Sequence, residues 1–282
     1  MIKRFFGDLG AKKLTVKEGD EIDLGKHKLG FYFAPMVHWP EVMMTYDKTD
    51  RVLFSADAFG KFGVLSHEED WLNEARRYYI NIVGKYGNPV QGVLKKAAAL
   101  DIKIICPLHG PVLKDNLNFY IGKYDIWSSY RPEEDGVLIA CASIYGNTAS
   151  AADKLAQELK TRGVKVEVAD LTRCDMAQAV ASAFKYTKLV IASITYDGGI
   201  MPCTESFINK LKAKNYSYRI VGFIQNGSWA PIAAKVMRAT LESSKGLSFC
   251  DGSVTVNSAL DQAADEQITA LAEELANIKY LL

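Results

Sequence analysis

The feature that most constrains the fold is a regular alternation of short apolar runs and amphipathic stretches from residue 137 onward. Strands are predicted at 137–143, 164–169, 187–194, 218–225 and 247–255. Helices are predicted at 147–161, 175–185, 202–213, 229–243 and 260–277. Five strand–helix units with short connections favour a parallel sheet with right-handed crossovers and helices on both faces.

A hydroxyl-rich loop follows the first of these strands and begins the first helix. Its residues are Ser143, Ile144, Tyr145, Gly146, Asn147 and Thr148. The free N–H groups and positive dipole end of a helix N-terminus bind anions. The loop has no lysine and lacks the three-glycine dinucleotide pattern. We therefore interpret it as a site for a mononucleotide phosphate, although similar loops also occur as plain helix caps.

Two further loops follow later strands, and a parallel sheet brings them to the same edge. The second loop consists of Ser193, Ile194, Thr195, Tyr196, Asp197, Gly198 and Gly199. The third consists of Asn226, Gly227, Ser228 and Trp229. We predict that a planar aromatic ligand binds between Tyr196 and Trp229. The alternative is that both loops are tight turns whose aromatic residues have no ligand.

Length and composition exclude several classes of protein. The 282 residues allow two domains, and 49% hydrophobic with 24% charged residues is ordinary for a globular chain. A net charge of +1 suggests neither nucleic acid nor an anionic membrane as partner. We found no signal peptide and no run of 18 apolar residues, and five widely spaced cysteines suit a reducing compartment. The expected location is the cytoplasm.

The first 132 residues have a different pattern, with several short strands before three helices. Strands are predicted at 13–17, 21–24, 28–34, 43–47, 51–54 and 102–106. The first helix is predicted from a capping box at Ser66 to about Val83, and the others at 89–100 and 116–130. The polar stretch 131–136 is predicted to be the domain boundary.

Three polar residues in this first part each follow an extended segment. They are His38, Asp57 and His109. Imidazole and carboxylate ligands suit iron or zinc, and a carboxylate can bridge two metal ions. The wide spacing leaves open a purely structural role, especially for a histidine that lies between two prolines.

The second part resembles the flavodoxin family, and more closely the flavodoxin domain of flavodiiron proteins. The resemblance rests on S-I-Y-G-N-T at 143–148, on the run 193–202 and on G-S-W at 227–229. It implies a doubly wound α/β sheet of strand order 2-1-3-4-5 over residues 137–282. It also implies FMN, with its phosphate in the first loop and its ring system between the second and third.

The first part is similar to the metallo-β-lactamase-like domain of the same family. His38 in H-W-P-E, Asp57 in S-A-D-A-F-G and His109 in L-H-G-P match three ligands of its di-iron site. The resemblance implies that the aspartate bridges the two irons and that each histidine binds one. Residues 1–132 correspond to the second half of this αββα domain.

The family's ligand cluster H-x-E-x-D-H is absent. The segment His67-Glu68-Glu69-Asp70 has the wrong spacing. Three ligands are too few for two irons, so we expect this chain alone not to assemble the site. Half of a sandwich should also leave a sheet face exposed. A separate polypeptide could cover it, or a second copy of this chain, or the sequence is a fragment.

The resemblance implies an oxidoreductase that reduces O2 to water or NO to N2O once its di-iron site is complete. A small donor such as rubredoxin would supply electrons to a homodimer or homotetramer. One alternative is an electron carrier that uses FMN alone, with the vestigial metal domain serving oligomerisation. A flavodoxin-like quinone reductase is a third hypothesis, which the metal-domain remnant disfavours.

Overall fold

The computed structural model describes residues 1–10, 12–65 and 70–280. Elements up to residue 128 form what we call the first module: α1 (Ile2–Phe6), β1 (Glu21–Asp23), β2 (Lys28–Phe33), β3 (Met43–Asp47), β4 (Val52–Phe54), α2 (Trp71–Tyr78), α3 (Gly87–Ala97), β5 (Ile104–Cys106) and α4 (Leu117–Ser128). A π-helical turn, Tyr79–Val83, and a 3-10 turn, Gly84–Tyr86, join α2 to α3.

The five strands of the first module form one sheet in sequence order. Neighbours are antiparallel except β4 and β5, which are parallel. Alternate side chains bury one face against the helices: Met44, Tyr46, Leu53 and Ile105 share a core with Tyr79. This packing positions the loops that follow β2, β4 and β5. Each of these loops contains one of the three predicted metal ligands.

The opposite face of this sheet carries an apolar patch, and no second sheet covers it within the described parts of the chain. Phe33 and Phe54 project from it and are 39% and 49% exposed. Met43 pairs with Phe33, and Cys106 pairs with Phe54, on the same face. These exposed apolar residues agree with the expectation that residues 1–132 form half of a sandwich, with one sheet face left uncovered.

Several predicted bounds in the first module were wrong. Residues 13–17 form no strand, since the described residues offer that segment no neighbouring strand to pair with. The capping box at Ser66 lies outside the described residues. The described helix begins at Trp71, and the Asp70 carboxylate caps it by accepting the N–H of Leu72 at 3.0 Å.

The second module begins at residue 134. Its elements are β6 (Glu134–Cys141), α5 (Asn147–Thr161), β7 (Val166–Asp170), α6 (Met176–Lys185), β8 (Tyr186–Tyr196), β9 (Gly199–Ile200), α7 (Pro202–Ala213), β10 (Ile220–Asn226), α8 (Ala233–Leu241), β11 (Ser248–Phe249), β12 (Val254–Val256) and α9 (Gln262–Asn277).

The main sheet of the second module is parallel and runs β7-β6-β8-β10, with β11 and β12 both pairing with β10. This confirms the predicted α/β fold with strand order 2-1-3-4-5. Two details differ from the prediction. The fifth strand is interrupted between Phe249 and Val254, and α8 begins four residues late, at Ala233, beyond Pro231.

The two modules meet at a buried cluster of charges around Glu133. This carboxylate accepts hydrogen bonds from Arg76, from Lys123 at 2.9 Å and from the indole of Trp127 at 2.7 Å. The side chains of Glu133 and Arg76 are 0% and 1% exposed. The stretch 131–136 is therefore a packed connection, and the domain limits 1–132 and 137–282 stay a prediction.

Candidate functional site

The first loop lies between β6 and α5, as predicted. Gly146 has a φ of 88° at the N-cap of α5, a conformation that suits glycine, and its N–H donates to the Ser143 hydroxyl at 3.1 Å. No side chain caps α5, so the first N–H groups of the helix lack intrahelical partners. The loop therefore presents an uncapped helix N-terminus to an anion.

Thr148 adds a buried hydroxyl to the first turn of α5. Its side chain is 1% exposed, and its Oγ1 has no hydrogen-bond partner among the described residues. Buried polar atoms are nearly always paired, so an unpaired hydroxyl in the first turn of this helix indicates a ligand partner.

The three predicted loops meet at a cavity of about 500 Å³ at the carboxyl edge of the sheet, which we call the flavin cavity. It is lined by Ser143, Ile144, Tyr145, Asn147, Thr148, Ile194, Thr195, Gly198, Asn226, Gly227, Ser228, Trp229, Ala230 and Ser258. Tyr145 and Trp229 are 91% and 95% exposed. Their rings are thus free to cover an aromatic ligand.

Fewer residues of the second loop line the flavin cavity than predicted. Ser193 is fully buried, and its hydroxyl accepts a hydrogen bond from Thr204 at 3.2 Å. The Thr195 hydroxyl caps α8 by accepting the N–H groups of Ile232 and Ala233 at 3.0 and 3.3 Å. Thr195 therefore fixes the second loop relative to the helix that follows the third.

Tyr196, Asp197 and Gly199 line a separate cavity of about 350 Å³ on the other side of the β8–β9 hairpin. Only Ile194, Thr195 and Gly198 of the second loop line the flavin cavity. The aromatic residue that shares the flavin cavity with Trp229 is Tyr145, in place of Tyr196. Sequence reasoning missed this because hairpin geometry decides which face each side chain takes.

The third loop is held by a residue that the sequence analysis did not select. Asn226 exchanges two hydrogen bonds with the backbone of Ser258, at 3.2 and 3.3 Å. The Ser258 hydroxyl also donates to that of Ser228 at 2.8 Å. A signal was available, since Ser258 follows the fifth strand at the same edge of the sheet.

Gly227 leaves little room for a side chain at this turn. A Cβ there would lie 3.0 Å from the Cα of Pro231. The glycine therefore allows the third loop to fold back closely before α8, which brings Trp229 to the rim of the flavin cavity.

The three predicted metal ligands lie together in the first module. One oxygen of Asp57 is 3.2 Å from Nε2 of His38, and the other is 3.4 Å from Nε2 of His109. The carboxylate thus faces a different imidazole with each oxygen. Among the described residues, His27, Asp47 and Asp50 each place a ligand atom within 4.8 Å of the other two. The ligand atoms of His38, Asp57 and His109 do not all come this close together. The trio suits two ions sharing one carboxylate better than a single ion.

Tyr78 lies beside this trio. Its ring centroid is 5.9 Å from that of His109. Burial, together with the nearby Asp57 carboxylate, raises the pKa of its hydroxyl above the ordinary value, so Tyr78 is neutral at physiological pH. The candidate metal site therefore has a neutral phenol beside its carboxylate.

Comparison with known proteins identifies both modules. The profile "ODP family beta lactamase" matches residues 4–110, and "Flavodoxin domain" matches residues 138–256. Anaerobic nitric oxide reductase flavorubredoxin of Aliivibrio salmonicida is 30% identical over 226 residues, which is 76% of this chain and 45% of that protein. The chain thus spans less than half of this relative.

Solved structures show the same order of domains. Rubredoxin oxygen:oxidoreductase from Desulfovibrio gigas superposes with a TM-score of 0.86 at 24% identity, covering 98% of this chain and 71% of that chain. The flavodiiron protein from Giardia intestinalis gives 0.83 at 23% identity, covering 97% and 70%. With a β-lactamase-type part followed by a flavodoxin domain, as in these proteins, the chain belongs to the flavodiiron protein family.

Proposed function

We propose that this chain binds FMN in the flavin cavity and acts as an electron-transfer flavoprotein of the oxidoreductase class. The observation that carries the proposal is the unpaired Thr148 hydroxyl beside the uncapped N-terminus of α5. Neutral donors of this kind fit a phosphate monoester. The flavodoxin-domain match over residues 138–256 supports the same ligand.

Each loop has a distinct task in this proposal. Ser143, Asn147 and Thr148 hold the phosphate, while Tyr145 and Trp229 cover the ring system and exclude water. Gly198 and Gly227 let the backbone approach the ring edge. FMN supplies one- and two-electron chemistry when bound, and the protein provides its position and polarity.

Replacing Thr148 by valine tests the phosphate site. We expect FMN affinity to fall by about 10- to 100-fold, the effect of losing a hydrogen bond to a charged group. Riboflavin has no phosphate, so its affinity should not change. Titrations followed by flavin fluorescence measure both constants. Thr161→Val is the matched control, because the Thr161 hydroxyl donates to Glu158 at the far end of α5.

An equal loss of FMN and riboflavin affinity in Thr148→Val would show that the variant damages the cavity as a whole. The unfolding midpoint without flavin separates the two cases. Removing an unpaired buried hydroxyl should leave it unchanged or slightly raised.

We further propose that the chain reduces O2 to water or NO to N2O in an assembly that completes a di-iron site. Asp57 lies between His38 and His109, as a bridging carboxylate requires. The three side chains would give each ion one imidazole and one carboxylate oxygen, fewer than the three protein ligands of common non-haem iron sites. The remaining ligands must come from another chain or segment, and the names of the relatives support this class of reaction.

Metal content tests the ligand set. The purified full chain, incubated anaerobically with Fe²⁺ and desalted, should retain FMN near one per chain but fewer than two irons. Elemental analysis and flavin absorbance measure both. Asp57→Asn should lower the iron retained and leave FMN binding unchanged. Two irons per chain, lost in Asp57→Asn, would contradict an incomplete site.

An electron carrier that uses only FMN is the second candidate. The small ligand set favours it, as does the open sheet face at Phe33 and Phe54, which suits oligomerisation by the first module. Iron near zero in every assembly, with rapid electron transfer through FMN, would support this candidate over gas reduction.

For partners, we propose a small redox donor such as rubredoxin, the protein named in one structural neighbour. We also propose a homodimer, a homotetramer or a chain that supplies the missing half-domain, because the open apolar sheet face needs cover. Within the described residues, no helix combines the length and apolar character needed to span a bilayer.

A further inference from the structure

A second large cavity, of about 610 Å³, lies where the two modules meet. We call it the junction cavity. Residues of α3 and the end of α4 form one wall, and the end of α7 with the segments that follow α7 and α8 forms the other. These segments precede β10 and β11, so the junction cavity lies at the sheet edge opposite the flavin cavity. None of its lining residues has a role in the proposed function.

Polar groups are present on every residue that lines the junction cavity. Every lining residue carries a hydroxyl, an amide or an ammonium group, and none carries a carboxylate. Ser128, Ser129, Ser217, Ser243 and Ser244 supply hydroxyl groups. Ligand pockets are usually lined mainly by apolar side chains, so this composition selects a hydrophilic ligand.

The charges around the cavity are positive. Lys212 and Lys245 line it. Beside them, the buried Arg219 donates to the carbonyls of Tyr130 and Ser217, which are lining residues, at 2.7 and 2.8 Å. Among the described residues that line the cavity, none carries a carboxylate that could pair with these cations. The nearby Asp125 carboxylate is already engaged by Arg131 and by the amide of Gln91.

Unusual backbone conformations are concentrated here. Tyr130, Asn215 and Tyr218 line the cavity with φ values of 59°, 58° and 56°, a region that tyrosine rarely adopts. Strained backbone conformations of this kind cluster where a protein binds ligands.

We propose that the junction cavity binds a small hydroxylated organic phosphate. The two lysines pair with the phosphate, and the serine and amide groups bond the hydroxyls of the carbon skeleton. A volume of about 610 Å³ accommodates a sugar phosphate or a mononucleotide. Because both modules line the cavity, the bound ligand stabilises their junction.

Calorimetric titration of the full chain tests the proposal, with FMN loaded at one per chain and the excess removed, so that the flavin cavity is filled and no free FMN competes for the junction cavity. The probes are glucose 6-phosphate and AMP, with glucose and inorganic phosphate as partial ligands. We expect one saturable site for a phosphorylated probe, with Kd below about 1 mM, and much weaker binding of both partial ligands. The phosphorylated probe that binds more tightly shows whether the ligand of this cavity is a sugar phosphate or a nucleotide.

Charge-neutral variants locate the site. Lys212→Met and Lys245→Met should each weaken binding by about tenfold, since each removes one charge-assisted hydrogen bond. Lys210→Met is the matched control: Lys210 is exposed on the same helix as Lys212 and lines no described cavity, so affinity should not change.

Three results would overturn the proposal. They are the absence of saturable binding by either phosphorylated probe, equal affinity for inorganic phosphate, and an equal loss of affinity in Lys210→Met. A thermal scan gives a separate check, because a hundredfold excess over Kd should raise Tm by about 5 °C or more. None of these readouts depends on electron transfer.

Discussion

Glu133→Gln should lower the free energy of unfolding by about 3 to 5 kcal/mol, the usual effect of removing one partner from a buried ion pair. The amide cannot neutralise Arg76, which is 1% exposed, or Lys123, which is 19% exposed. Glutamine also replaces one acceptor oxygen with an amide donor. The groups that face this position, including the indole of Trp127, are themselves donors, so they lose an acceptor. Urea denaturation with an unchanged m-value measures the effect.

The neighbouring residue gives the control for this prediction. Glu134 pairs with Lys165 and Lys185, and the Lys165 side chain is 59% exposed. Glu134→Gln should therefore cost less than about 1 kcal/mol. Equal effects of the two substitutions would show that the Glu133 network contributes no more than a surface pair.

The same network predicts how stability depends on pH. Burial by itself raises the pKa of Glu133, but hydrogen bonds and charge from Arg76, with further bonds from Lys123 and Trp127, hold it below the ordinary value. A carboxyl whose pKa is lower in the folded state stabilises the protein above its unfolded pKa. That contribution is lost as the pH falls through the folded pKa. Acid titration of stability should be less steep in Glu133→Gln.

Arg219→Met should lower the free energy of unfolding by about 3 kcal/mol, because it leaves several buried carbonyls without a donor. The guanidinium donates to the carbonyls of Phe184 at 2.6 Å, Tyr186 at 2.8 Å and Tyr130 at 2.7 Å. The loss of a desolvated charge offsets part of this cost, which keeps the net effect below the sum of the bonds.

Tyr130 follows α4, the last helix of the first module, and Phe184 lies in α6 of the second, so Arg219 also joins the modules. Unfolding followed by tryptophan fluorescence and by bound flavin should separate into two transitions in Arg219→Met. Arg238→Met is the control, since Arg238 donates to a single carbonyl, that of Cys250, at 3.0 Å. A single coincident transition in Arg219→Met would contradict the joining role.

The second module was largely predictable because its signals are local. The helices α5 and α7 have the predicted bounds, 147–161 and 202–213. Apolar runs bounded by glycine and polar turns define its strands, and the rules for parallel connections limit the topologies available. The first module was less predictable. Residues 13–17 have the composition of a strand, but strand formation requires a neighbour that the local sequence does not contain.

Side-chain placement at the site depended on tertiary structure. The sequence alone determined that three loops meet at one sheet edge, because chain order suffices for that. His38, Asp57 and His109 became the metal-ligand candidates through the resemblance to flavodiiron proteins, since their wide spacing left a structural role open. Only the tertiary structure decided that Tyr145 rather than Tyr196 shares the flavin cavity with Trp229, that Ser258 holds the third loop, and that Asp57 lies between the two histidines. These features depend on distances between residues far apart in the chain, which packing sets and sequence spacing does not.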